Sequence, residues 1–303
     1  AVPAPALDTA PAPGGETRLP RQATALPDDW AALPVVTALS GPVLALAQFA
    51  DGRIHLVKAG GRVPLDVPAD AAGEGGTPLR PNSLAPDGTL AAFPQRDAVV
   101  VVDLVVGQAR RYPLPGANEV VLWRGDRLLV EQEGADHLLD LATGEAVRLP
   151  YRGFGGTAGY RDVRIVSPGD GGSTVIREGE AEVALPVRHI TDRGRVPAGP
   201  GGEHGWQRDG LVAVSAPAHD DLGPSAGVVV VADLESGQVV RTLLLPSGSD
   251  CGEYGCPVRG WLGQDTVLVE RGDRLLGWNI RTGALSRVAD LPPDVTAYSL
   301  RPG

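Results

Sequence analysis

Five histidines, His55, His137, His189, His204 and His219, and two cysteines, Cys251 and Cys256, are the residues of this 303-residue sequence best suited to metal binding, proton transfer or redox chemistry. Glu203 precedes His204, and Asp220 and Asp221 follow His219. Imidazole and carboxylate together can hold a divalent metal or exchange protons as acid and base. No H-E-x-x-H spacing ties these residues to one element, so no metal site and no cofactor are assigned. The four residues His204, His219, Asp220 and Asp221 form the candidate catalytic set of one reading, a secreted hydrolase or lyase. Other reaction signatures are absent: there is no G-x-S-x-G elbow, no G-x-x-x-x-G-K-[ST] phosphate loop, and "SPGDGG" at 167 lacks the alternating acidic ligands of a calcium loop.

Both cysteines lie in "SGSDCGEYGCPVRGW", residues 247–261, separated by four residues. Two thiols cannot complete a structural zinc site, and the spacing is not the C-x-x-C of thioredoxin-like centres. One disulfide between Cys251 and Cys256 is expected, and with it an oxidising, extracytoplasmic compartment. Glu253 and Tyr254 sit inside the closed loop. A large ring there has no core to enter, which makes Tyr254 the aromatic most suited to meet a partner.

The elements that would position these residues emerge from an internal repeat. One strand-and-turn element recurs as "NSLAPDGTLAAF" at 82, "VVLWRGDRLLVE" at 120, "HGWQRDGLVAVS" at 204 and "RGWLGQDTVLVE" at 259, with a looser copy at 163. It aligns Leu84, Trp123, Trp206 and Trp261, each followed by a turn bearing Asp87, Asp126, Asp209 or Asp265. One aromatic per repeat at a strand position suits packing between sheets. A second element follows each first: "VVVVDLVVGQARRYPL" at 99, "HLLDLATGEAVRLP" at 137, "VVVVADLESGQVVRTLLLP" at 228 and "RLLGWNIRTGALSRVADLP" at 274. Its glycines, Gly107, Gly144, Gly237 and Gly283, stand where a hairpin needs positive φ. Two hairpin-like halves make a four-stranded antiparallel unit.

The "D-x-x-T-G" hairpins, "DLATG", "DLESG" and the variant "NIRTG", resemble those of WD40-like, TolB-like and YVTN-type β-propellers over residues 43–303. The resemblance implies an all-β propeller of four-stranded blades. Six units are expected, at about 43 residues each over the 261 residues from 43 to the end; five or seven are the alternatives. "VLALAQFADGRIHLVKAGGRVPLDV" at 43 lacks a first strand, and "TAYSLRPG" at 296 would supply it, with Leu300 in the place of Leu84, so that the C-terminal strand closes the ring.

In such a unit the first-to-second and third-to-fourth turns are minimal here, while the long connections fall at the other end: those from 68, 151, 191, 217 and 247. Enlarged loops on a rigid scaffold are where binding surfaces form. Tyr254, Glu253, His204, His219, Asp220, Asp221 and Arg193 are the candidate residues of this face. The expected function is a non-catalytic binding or scaffold role toward a protein, peptide or glycan. A net charge of −10 excludes a nucleic-acid stripe or attachment to an anionic bilayer, and no 18-residue apolar run is present to insert in a membrane. Residues 1–42, opening "AVPAPALDTAPAPGGETRLPRQ", have the Ala/Pro composition of a semi-extended stem.

Overall fold

A computed structural model describes residues 6–67, 77–150, 156–159, 161, 163–166, 174–178, 181–185, 204–217, 227–246, 251 and 255–301. The chain forms two compact units, one of residues 23–154 and 289–303 and the other of residues 1–22 and 155–288. Strand formation follows the alternation and β-branched runs of the repeat, such as Val228 to Val231, all buried.

In the 23–154 unit, Val120–Arg124, Arg127–Gln132, Ala135–Asp140 and Ala146–Arg148 form an antiparallel meander. A second sheet runs Ala45–Phe49, Ile54–Lys58, Gly61–Leu65, and takes the C-terminal strand Val295–Leu300 as its first member, with Ala45 opposite Leu300. The third sheet contains Leu90–Asp103 and Gln108–Ala117. A straight strand of 14 residues would span roughly 45 Å, yet the Leu104 N–H donates to the Thr89 carbonyl at 2.8 Å. The segment therefore folds back on itself at Asp97, whose φ is 58°. Asn118, fully buried, holds that bend by donating from Nδ2 to the Gln95, Ala98 and Leu114 carbonyls. With the short inner strand at Ser83 to Ala85, bonded to Ala92 and Leu90, this sheet too is a four-stranded meander.

In the 155–288 unit, Gly205–Arg208, Leu211–Pro217, Gly227–Asp233 and Val239–Leu245 make one meander, and Val258–Leu262, Thr266–Arg271, Arg274–Asn279 and Leu285–Asp290 another. Val163–Val166, Thr174–Glu178 and Ala181–Leu185 form a three-stranded sheet. Each repeat unit read from the sequence thus has a sheet of its own among the described residues. The aligned tryptophans are buried and tie neighbouring sheets: Trp123 Nε1 donates to Ser83 O at 3.2 Å, Trp206 Nε1 to Val258 O at 2.8 Å and Trp261 Nε1 to Trp206 O at 2.9 Å. At Leu84, where no indole stands, its N–H donates instead to Ser299 Oγ of the sheet begun by the C-terminal strand.

Four of the third-to-fourth turns share one construction. Asp103, Asp140, Asp233 and Asn279 each accept two backbone N–H bonds from the residues two and three positions on. The glycine four positions on then donates back to the same residue's carbonyl at 2.8 Å, with φ between 67° and 79°. The bond from Thr143 N–H holds the Asp140 carboxyl below its ordinary range, and that from Ser236 N–H does the same for Asp233. A carboxyl lowered in the folded state stabilises it above the unfolded pKa of about 3.9 and loses that contribution as pH falls through the folded value. Asp140→Asn and Asp233→Asn are therefore expected to remove this contribution at neutral pH and with it part of the acid loss of stability below about pH 4, while the turns still form, because Asn279 caps its own turn uncharged; unfolding titrations across pH check it.

Three stretches of the Ala/Pro-rich leading segment lie along the edges of sheets. In the 155–288 unit, Ala6–Thr9 adds in parallel to Val239–Leu245, with Asp8 opposite Leu243. Further on, Arg287 N–H donates to Pro20 O and Gln22 N–H to Arg287 O, each at 3.0 Å, a second parallel addition. In the other unit the pattern repeats: Arg62 N–H donates to Pro34 O at 2.9 Å and Val36 N–H to Arg62 O at 3.0 Å. Trp30 is fully buried there, its ring edge-on to Tyr298 at 5.6 Å. Ala/Pro sequence encodes extended backbone, and an outer strand accepts any extended backbone that offers carbonyls. Proline, which lacks an N–H, is tolerated at such an edge.

Glu16 anchors this strap. It is 2% exposed and ion-paired with Arg271, itself 4% exposed, with Arg274 at 3.8 Å. Glu16→Ala would strand a buried guanidinium, and is expected to cost about 3–5 kcal/mol in urea unfolding.

Candidate binding face

His204 precedes the inner strand Gly205–Arg208 and is half-buried. Its Nδ1 donates to the Gly156 carbonyl at 3.2 Å. That bond belongs to a larger fastening: Thr157–Ala158 pairs in parallel with Gly205 and Trp206. The Gln207 amide clamps the same segment, donating to Thr157 Oγ1 at 2.6 Å and Arg161 O at 2.8 Å while accepting from Arg161 N–H at 3.1 Å. In this setting His204 joins a neighbouring connection to the end of its sheet. His219, Asp220, Asp221, Arg193, Glu253 and Tyr254 lie outside the described residues. Of the acid–base set read from the sequence, His204 is the member the structure places. Among the described residues no three His, Cys, Asp or Glu side chains gather as metal ligands.

Two other histidines are accounted for by strands. His55 is 4% exposed and edge-on to Phe49 at 5.1 Å. Burial first, then the nearby Arg62 charge, lowers its pKa; burial and Arg148 do the same for His137. Both shifts favour the neutral ring.

The cysteines are joined as a disulfide, and both are buried, Cys251 at 6% and Cys256 at 0% exposure. They pack on Gly227, where an added Cβ would lie 3.2 Å from the Cys256 nitrogen and 3.3 Å from Cys251 Sγ. Gly227 opens the strand Gly227–Asp233 and pairs with Pro217 on one side and Leu245 on the other. Pro217 leads into the 218–226 connection and Leu245 into the 247–257 connection. The disulfide thus seals the point where the roots of two long connections meet. Downstream, Val258 O receives the Trp206 indole, so the stapled loop runs directly into the packing between sheets.

The sequence reading passed over a buried polar group in the 23–154 unit. Asn118 Oδ1 accepts from Gln132 Nε2 at 2.8 Å, Gln95 Oε1 accepts from Arg111 at 3.1 Å, and the buried carboxylates Glu131 and Asp136 face each other in register. Strand period alone does not tell which end of a sheet is covered, so nothing in "LLVEQEGADHLLD" marks those acids as buried.

The sequence matches no protein-family model and no curated protein sequence. Solved structures similar to this chain include BamB from Moraxella catarrhalis, 13% identical with a TM-score of 0.43 over 90% of this chain and 80% of that one. U3-55K is 15% identical with a TM-score of 0.43, covering 84% of each chain. A chain of the Mitotic Checkpoint Complex is 14% identical with a TM-score of 0.46, covering 82% of this chain and 75% of that one. The chain is all-β and resembles a WD40-like β-propeller.

Short-loop disulfides stabilise by restricting the unfolded chain, here by about 2 kcal/mol. Cys251→Ser with Cys256→Ser is expected to fold and to lose about that much in chemical unfolding, with faster amide exchange at Gly227 and Gly255. Gly227→Ala, which presses a methyl on the intact bridge, is expected to destabilise the oxidised protein more than the serine double variant.

Proposed function

We propose that this protein is a non-catalytic, extracytoplasmic scaffold that binds a protein, peptide or glycan through the end of its sheets carrying the long connections. In this reading the sheets are six blades of one ring, closed where Val295–Leu300 pairs with Ala45–Phe49. The observation that carries it is the buried disulfide against Gly227, which fastens the roots of two long connections to the rigid sheet beneath. Fixed loop roots lower the entropy lost when a partner is bound. At the opposite end the turns are minimal and self-satisfied by their Asp or Asn side chains, which leaves little to recognise. The disulfide also supports an oxidising compartment. Among the described residues no helix is long and apolar enough to cross a membrane.

Tyr254→Ala and Glu253→Ala test the reading. Each is expected to abolish cross-linking of the chain to its partner in extracts of the native extracytoplasmic compartment while leaving the melting temperature unchanged. Cross-linking that survives both substitutions, or a turnover lost on His219→Ala, would overturn it in favour of another surface or of the hydrolase reading.

A further inference from the structure

The strap shows what one groove of this fold binds. Asp8 sits between two sheets, its carboxylate held by the Arg241 guanidinium, with Nη2 to Oδ1 at 2.8 Å, and by Trp278 Nε1 at 2.8 Å. The pair lowers the Asp8 carboxyl below its ordinary range. Arg241 is fixed from the far side by donating through Nη1 to the Ile280 carbonyl at 3.3 Å. The turn glycine Gly283 leaves the space for this: a Cβ there would collide with both Arg241 Nη2 and Asp8 Oδ1.

The same groove exists a second time, wholly within the 23–154 unit. Arg110 stands opposite Val101, two residues before the capping Asp103, as Arg241 stands opposite Val231, two before Asp233. Its Nη1 donates to the Leu141 carbonyl at 3.2 Å, and Leu141 follows Asp140 as Ile280 follows Asn279. Gly144 takes the place of Gly283, with an added Cβ falling 3.7 Å from Arg110 Nη2. The guanidinium is held ready by the Tyr112 ring, 4.6 Å from its centroid, and Tyr112 Oη donates to Leu141 O at 2.8 Å. Where Asp8 fills the first groove, the second is a cavity of about 410 Å³ floored by Leu90, Val101, Tyr112 and Leu141. Its outer strand Gln108–Ala117 is the edge of its sheet among the described residues, whereas Val239–Leu245 is covered by Ala6–Thr9. Val105 and Val106, on the turn leading into that strand, are 75% and 62% exposed.

We propose that the groove beside Arg110 docks an extended, aspartate-bearing segment of a partner protein, which pairs with the guanidinium as Asp8 does in cis. Two differences tune it: Leu139 stands in the place of Trp278, so a ligand carboxylate there meets the guanidinium without an indole donor, and the rim charge is balanced differently. In the occupied copy Asp265 is held by Arg281 at 2.7 Å; in the open copy Ala142 stands in the place of Arg281, so the exposed Asp126 at the rim repels an acidic ligand. This surface is independent of the disulfide-rooted face.

The probe is a synthetic peptide of residues 4–13, "APALDTAPAP", capped at both ends, titrated into the full chain, whose own strap keeps the Arg241 groove filled. Saturable binding is expected, weakened roughly ten- to hundredfold by Arg110→Ala or by the peptide with Asn in place of Asp. Asp126→Asn is expected to tighten it, and Tyr254→Ala to leave it unchanged. Arg110 is exposed, so its removal leaves the fold intact, and the peptide variant needs no change to the protein. No saturable binding, or binding that ignores both Arg110 and the peptide aspartate, overturns the proposal. Self-association of the chain that is lost in Arg110→Ala would make the occupant a second copy and overturn the assignment to a different protein.

Discussion

Every four-stranded sheet presents a row of backbone N–H and C=O groups on its outer strand, and in this protein that row determines where residues 6–9, 20–22 and 34–36 lie. Unpaired edges invite association with other chains. Here residues 6–9 and 20–22 cover the outer strands of the two meanders in one unit, and residues 34–36 cover one in the other. The additions after Pro20 and Pro34 are built identically: the proline carbonyl accepts from an arginine N–H, and the N–H two residues later returns the bond. Side chains then make the contact specific, through Asp8 on Arg241 and Glu16 on Arg271.

The two ends of the sheets are stabilised differently. At one end, an Asp or Asn followed four residues later by glycine closes four of the third-to-fourth turns with its own hydrogen bonds, so little of their surface is left with unmet polar groups. At the other end, order depends on contacts distant in sequence: Gln207 with Thr157 and Arg161, Asn118 with Gln95 and Gln132, the disulfide with Gly227. A face held by such contacts can vary its loops without disturbing the sheets.

The meanders, their turns and the indole positions were legible in the sequence because their causes are local: strand alternation, an Asx acceptor, a glycine at positive φ. So was the partnership of the C-terminal strand with Ala45–Phe49, since the missing first strand of that unit has a matching sequence at residue 296. Which strands residues 6–9, 20–22 and 34–36 lie against was not legible. Composition reports that Ala/Pro backbone is extended, but not which edge an extended backbone lies against.

From the sequence alone come the all-β repeat, the Cys251–Cys256 pairing and the uneven loop lengths, each set by residues within a few positions of one another. Tertiary structure alone decides that Asp8 finds Arg241, that Glu16 is buried with Arg271, that the disulfide rests on Gly227, and that Arg110 stands over an open copy of the Asp8 groove. Those depend on which strands become neighbours in space, and the free energy of a buried ion pair or a close backbone approach appears only once distant segments are packed together.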